Sequence, residues 1–67
     1  MIIIDRLKFA LLQGNMTQNE LAEKAGLTQT TISNISRTGV CKRSSFLKLL
    51  NAFEVEAEEL ISEDFQK

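Results

Sequence analysis

The sequence predicts an all-α domain of five short helices, on three observations. Apolar residues recur at three- and four-residue steps in successive stretches. Three glycines, Gly14, Gly26 and Gly39, fall between those stretches, and proline is absent throughout. Residues suited to helix starts, threonine and serine, stand immediately ahead of several of the periodic runs. The chain has 67 residues, so residues 1–67 are expected to form a single domain. A domain of this size buries only about 60% of the surface its unfolded chain exposes. Its core therefore has to be compact and well sealed.

The first helix is expected over residues 2–13, with Ile3, Leu7, Ala10 and Leu11 on its inner face and Gly14-Asn15 ending it. Ile2, Ile4, Phe9 and Leu12 widen the apolar surface beyond one stripe, which calls for neighbours on most sides or for self-association. The second helix starts at Thr17, where Thr17-Gln18-Asn19-Glu20 has the pattern of a capping box, and Leu21, Ala22 and Ala25 form its inner face. Gly26 supplies a positive φ at the turn, and Leu27 points back to the core. Thr28 caps a third helix over residues 29–37, in which only Ile32 and Ile35 are apolar. A basic loop, residues 37–43, leads to a fourth helix capped by Ser44 or Ser45 with Phe46, Leu49, Leu50 and Phe53 inward. A fifth, short helix over residues 56–62 offers Leu60 and Ile61 to the core and carries Glu56, Glu58 and Glu59 in its first turn, where the helix dipole favours negative charge.

Composition removes several function classes. Histidine, tryptophan and tyrosine are absent and no carboxylates cluster among apolar residues, so no catalytic residue and no enzymatic activity are expected. One cysteine, Cys41, allows no internal disulfide and, without histidine, no zinc site, so no metal or cofactor is expected. Cys41 reads as a small loop or half-buried residue, with redox sensing as the alternative if it proves exposed among cations. The apolar N-terminus is interrupted at once by Asp5, Arg6 and Lys8, which fits neither a secretory segment nor a membrane span and points to a cytoplasmic location, in a bacterial host cell or nucleoid-associated. The net charge is −1, but it is unevenly divided: +4 over residues 1–50 and −5 over residues 51–67. A basic body thus carries an acidic C-terminal segment expected to face away from any polyanion.

Two helices joined by a glycine-containing turn, the second polar outward, have the geometry of a DNA-binding helix-turn-helix over residues 17–37. The outer positions of the third helix, Gln29, Thr30, Thr31, Ser33, Asn34 and Ser36, are polar and uncharged. An ordinary solvated helix face usually carries Glu and Lys, whereas amides and hydroxyls are suited to base edges. The run Met16-Thr17-Gln18-Asn19-Glu20-Leu21-Ala22-Glu23-Lys24-Ala25-Gly26-Leu27, followed by Thr28-Gln29-Thr30-Thr31-Ile32, resembles the helix-turn-helix of phage Cro proteins and phage repressor DNA-binding domains. A second stretch, Gly39-Val40-Cys41-Lys42-Arg43-Ser44-Ser45-Phe46-Leu47, resembles the segment that follows the motif in those proteins.

The resemblance covers residues 5–61 and implies a lambda-repressor-like fold and a short regulator that reads a palindromic double-stranded DNA operator as a homodimer. It implies phosphate contacts from Gln18, Thr28, Arg37, Lys42 and Arg43, and base contacts from Gln29, Thr30, Thr31, Ser33 and Asn34. Gln29 has the amide geometry to pair with adenine, and the threonine methyls suit thymine. The chain departs from the family's pattern at Ala10 and Ser36, where a basic residue and a glutamate often pair, and at Glu23 and Ser45, which replace a glutamine and a basic residue. The small net charge, Glu23 and Ser45 keep open a second reading, a helix-turn-helix modulator that binds a larger repressor protein through its apolar first helix or acidic segment; a third is the antitoxin of a toxin–antitoxin pair.

Overall fold

The computed structural model describes residues 1–62. Four helices surround one apolar core: α1 (Arg6–Gln13), α2 (Gln18–Ala25), α3 (Gln29–Thr38) and α4 (Arg43–Phe53). A two-stranded antiparallel ribbon joins β1 (Ile2–Ile3) to β2 (Val40–Cys41), with Ile2 opposite Cys41 and Ile3 opposite Val40. A single 3-10 turn, Ala57–Glu59, follows α4.

Several expectations are corrected here. Among the described residues there are four α-helices rather than five. Residues 56–62 make only the 3-10 turn, entered through a reciprocal pairing of Glu56 with Glu59, and Ile61 leaves the turn to form an isolated bridge with Ile4. Leu60 is nonetheless buried in the core and Ile61 packs against it, as expected. The first helix begins at Arg6 and not at Ile2, because three successive β-branched isoleucines favour extended backbone. Asp5 then caps α1, its carboxylate accepting from the Leu7 and Lys8 amides at 2.9 and 3.1 Å.

The inward face of α1 also differs from the expectation. Phe9 is buried and Leu12 packs against the core, while Leu7 and Leu11 are 70% and 73% exposed and Ala10 also faces outward. Neither Ser44 nor Ser45 caps the fourth helix. Its N-cap is Lys42, with no side-chain cap, and both serines lie inside the first turn.

The helix-turn-helix follows its local chemistry closely. Thr17 Oγ1 accepts from the Glu20 amide at 3.1 Å while Glu20 Oε1 accepts from the Thr17 amide at 2.8 Å, the reciprocal pair of a capping box. That hydrogen bonding also holds the Glu20 carboxyl below its ordinary pKa. Gly26 sits in the left-handed region at φ 74°, and the Leu27 amide reaches back to the Ala22 carbonyl at 2.8 Å. Those two features end α2 within one residue and aim the chain into α3.

Ile32 and Ile35 anchor α3 on Leu21, Ala22, Phe46 and Leu49 in a single buried cluster. The ribbon then ties the chain start to the segment after α3: the Ile4 amide donates to the Gly39 carbonyl at 2.8 Å, and the Asp5 amide to the Leu60 carbonyl at 2.9 Å. Arg6 crosses from α1 to the end of α3, donating from Nη1 to the Arg37 carbonyl at 2.8 Å. Its stem lies over Gly39.

Candidate nucleic-acid interface

The candidate surface is the outer face of α3 with the helix starts that flank it. Gln29, Thr30, Ser33 and Asn34 are exposed there and Thr31 is half-buried, while Ile32 and Ile35 hold the opposite face in the core. The face is uncharged until Arg37 in the last turn. Apolar anchoring on one side and amides or hydroxyls on the other give α3 the form of an element that can lie along a duplex without carrying its own charge into the groove.

Two of these residues have local partners. Thr28 caps α3, its hydroxyl accepting from the Thr31 amide at 3.1 Å and lying 2.8 Å from the Thr31 hydroxyl. Thr31 is thus held by Thr28, with its methyl group and the rest of its hydroxyl's hydrogen-bonding capacity open to an outside partner. Asn34 Oδ1 accepts from Arg37 Nη2 at 2.8 Å, which fixes the amide's orientation and leaves its N–H donors for an outside acceptor. Arg37 therefore aligns Asn34 as well as carrying charge.

Of the residues expected at phosphates, Gln18, Thr28, Lys42 and Arg43 lie at three helix starts, and Arg37 lies in the last turn of α3. Gln18 is the first residue of α2, half-buried beside the Thr17 cap. Thr28 stands at the start of α3 and is exposed. Lys42 and Arg43 are exposed at the start of α4. Because Lys42 provides no side-chain cap, the first amides of α4 retain their donor capacity next to two cations. The structure brings Lys42 and Thr31 together: both line one concavity of about 260 Å³ between α3 and the start of α4, along with Asn34 and Ser45.

Cys41 lies at the floor of the same region, 4% exposed, and burial pushes its thiol pKa up. A buried thiol of raised pKa forms little thiolate, so the structure does not favour the redox alternative. Among the described residues there is no cluster of potential metal ligands, and no helix is long and apolar enough to cross a membrane. The acidic segment is exposed at Glu54, Glu56, Glu58 and Glu59; Glu63 and Asp64 lie outside the described residues.

Sequence reasoning missed the ribbon, the Arg6 crossing and the burial of Ser45. The run Ile2-Ile3-Ile4 matched with Val40-Cys41 was a legible signal for the ribbon, since both are rich in strand-favouring residues.

No curated protein and no solved structure matches the chain. A family model of the helix-turn-helix domain matches residues 4–63, which takes in every helix described above. The chain belongs to the helix-turn-helix domain family, and its architecture is that of a DNA-binding domain.

Proposed function

We propose that this protein is a sequence-specific transcriptional regulator, a short repressor of the Cro-like kind, that reads a palindromic operator as a homodimer with α3 in the major groove. The observation that carries the reading is the two-sided character of α3: Ile32 and Ile35 sealed in the core, and Gln29, Thr30, Ser33 and Asn34 exposed and uncharged opposite them. In this reading Gln29 pairs with a base through its amide, and Thr30 and Thr31 meet thymine methyls. Ser33 and Asn34 contact the next base or its phosphate. Gln18, Thr28, Arg37, Lys42 and Arg43 hold the backbone. The homodimer follows from reach, since one recognition helix spans too few base pairs to specify a site alone.

Selection of bound duplexes from a random pool, with the protein alone, tests this reading. The expected result is an inverted repeat with half-sites centred about 10 base pairs apart. Binding should weaken steeply from low to physiological salt as the cations release condensed counterions. An unsymmetrical site contradicts the dimer, and a flat salt response contradicts attachment through phosphates.

One observation favours a second reading. Leu7 and Leu11, one turn apart on α1, are largely exposed, and an apolar pair on an outward helix face suits a protein partner such as a larger repressor. Failure to select any DNA, together with capture of such a repressor through α1, would move this second reading ahead.

A further inference from the structure

On the outer face of α3 a charged side chain is joined to an amide. Arg37 Nη2 donates to Asn34 Oδ1 at 2.8 Å, three residues away on the same helix face. Both side chains are exposed, so the pair stands on the surface proposed to meet DNA. Its backbone is held from two directions. The Thr38 hydroxyl donates to the Asn34 carbonyl at 2.7 Å, and Arg6, from α1, donates to the Arg37 carbonyl at 2.8 Å. The last turn of α3 is thus fixed at both residues of the pair.

An asparagine amide offers a base one acceptor group and one donor group. Together they match the N6 donor and N7 acceptor of adenine. Arg37 removes that balance. The amide oxygen is already engaged by a guanidinium N–H, and a base amino group that approached its second lone pair would meet the same positive charge. The amide nitrogen keeps both of its N–H donors. The pair therefore presents donors to the groove, from Asn34 and from the guanidinium N–H groups that Asn34 does not use. Among the base edges of the major groove, only guanine carries two acceptors, O6 and N7.

The same guanidinium can still meet the backbone. It has five N–H donors in a fixed fork, and the bond to Asn34 takes one of them, so the phosphate contact proposed for Arg37 and the hold on Asn34 are compatible.

We infer that Arg37 sets which base Asn34 reads: by holding the amide oxygen it leaves Asn34 a donor-only contact that selects guanine over adenine at one position of each half-site. Arg37 is in this sense a positioning residue for base readout. The inference rests on the DNA-binding reading above and adds to it the polarity of one contact. A pair that only steadied the helix end would leave base preference untouched, which separates the two roles.

The test uses wild type, Asn34→Ala, Arg37→Met and the double variant. Duplexes are selected from a random pool with wild type, and the selected operator is then titrated against its single-base substitutions with each protein at two salt concentrations. Thermal melts accompany the titrations. Both side chains are exposed, so all four proteins should melt close together. Asn34→Ala identifies the position concerned as the one where discrimination is lost. Wild type should prefer guanine to adenine there by about 10-fold. Arg37→Met keeps an unbranched stem and removes both the charge and the hydrogen bond. It should weaken every duplex, lower the salt slope by about one unit and, at the Asn34 position alone, raise adenine at least to parity with guanine. Added to Asn34→Ala, it should leave the preference at that position unchanged, because it acts through the amide.

If Arg37→Met weakens every duplex and the guanine preference persists, Arg37 holds phosphate alone; the inference is overturned and the DNA-binding reading stands. The inference is equally overturned if wild type does not prefer guanine at the position, or if Asn34→Ala relaxes no position. A further change there in the double variant means that Arg37 touches the base itself, which overturns its positioning role. If wild type selects no duplex, the DNA-binding reading fails and the inference with it.

Discussion

Gly26 and Gly39 end α2 and α3 in nearly the same left-handed conformation, at φ 74° and 73°, but their surroundings differ. A Cβ at Gly26 meets nothing within 4 Å. The cost of Gly26→Ala is therefore backbone strain alone, about 1–2 kcal/mol for an L-residue in this region. Loss of glycine's freedom in the unfolded chain returns roughly 0.4–1 kcal/mol of that. A Cβ at Gly39 meets Arg6 Cγ at 3.1 Å, Arg6 Cδ at 3.4 Å and the Ile4 carbonyl oxygen at 3.4 Å. Gly39→Ala carries the same strain and in addition must push aside the Arg6 stem, which disturbs the Arg6 hydrogen bond to the Arg37 carbonyl. The net loss is about 0.5–1 kcal/mol for Gly26→Ala and about 1–2 kcal/mol for Gly39→Ala. At roughly 4–8 °C per kcal/mol for a domain of this length, the two melts should separate from wild type and from each other. Thermal denaturation followed by circular dichroism gives the order: wild type highest, Gly26→Ala next, Gly39→Ala lowest. If Gly26→Ala melts with wild type, or below Gly39→Ala, the placement of strain in these turns is wrong.

Leu21 is fully buried between the helices of the motif, so Leu21→Ala should cost about 2–5 kcal/mol, a large part of the margin of so small a domain, and chemical denaturation measures it. A loss under 1 kcal/mol would place Leu21 outside the core. Glu20 has a folded pKa below its ordinary value because it accepts from Thr17, so its charged form contributes stability that is complete above the ordinary carboxylate range and disappears as pH falls through the lowered value. Wild type should therefore melt above Glu20→Gln at neutral pH, with the gap closing in acid; a gap that stays constant as the pH is lowered contradicts the capping role of the charge. Thr17→Ala removes the other half of the box and should cost about 1 kcal/mol at neutral pH by the same melts.

The parts of the fold set by local chemistry were legible in the sequence. The capping box at Thr17 and Glu20, the positive φ at Gly26 and the Thr28 cap all depend on residues within a few positions of one another, and each appears where the sequence places it. What the sequence hid depends on distant partners. Ile2 and Ile3 fit helical periodicity as well as Leu7 does, and only pairing with Val40 and Cys41 decides that they are extended. In α1 the inward face belongs to Phe9 and Leu12, and which side of an apolar helix meets the core is decided by tertiary packing, leaving Leu7 and Leu11 exposed. The acidic stretch after Phe53 has good helix formers but little apolar surface to pack, and it settles for one 3-10 turn that delivers Leu60 to the core. At the candidate interface the sequence indicated the exposed residues of α3, because their polarity is read one residue at a time. Ser45 escaped notice because a serine near a helix start is ordinarily a cap, and its burial is set by the tertiary packing of the start of α4.

The most direct measurement is a competition titration of Gln29→Ala and Lys42→Ala against a selected operator, the same operator with single-base substitutions and a random duplex, at two salt concentrations. Neither side chain lies in the core, so both variants should keep the wild-type melting temperature. Gln29→Ala should weaken the operator by about 1–3 kcal/mol, relax discrimination at one base position and leave random duplex nearly untouched. Lys42→Ala should weaken all three duplexes alike and reduce the salt slope by about one unit. Equal loss on every duplex for Gln29→Ala, or no loss on any, would contradict the assignment of α3 as the reading helix.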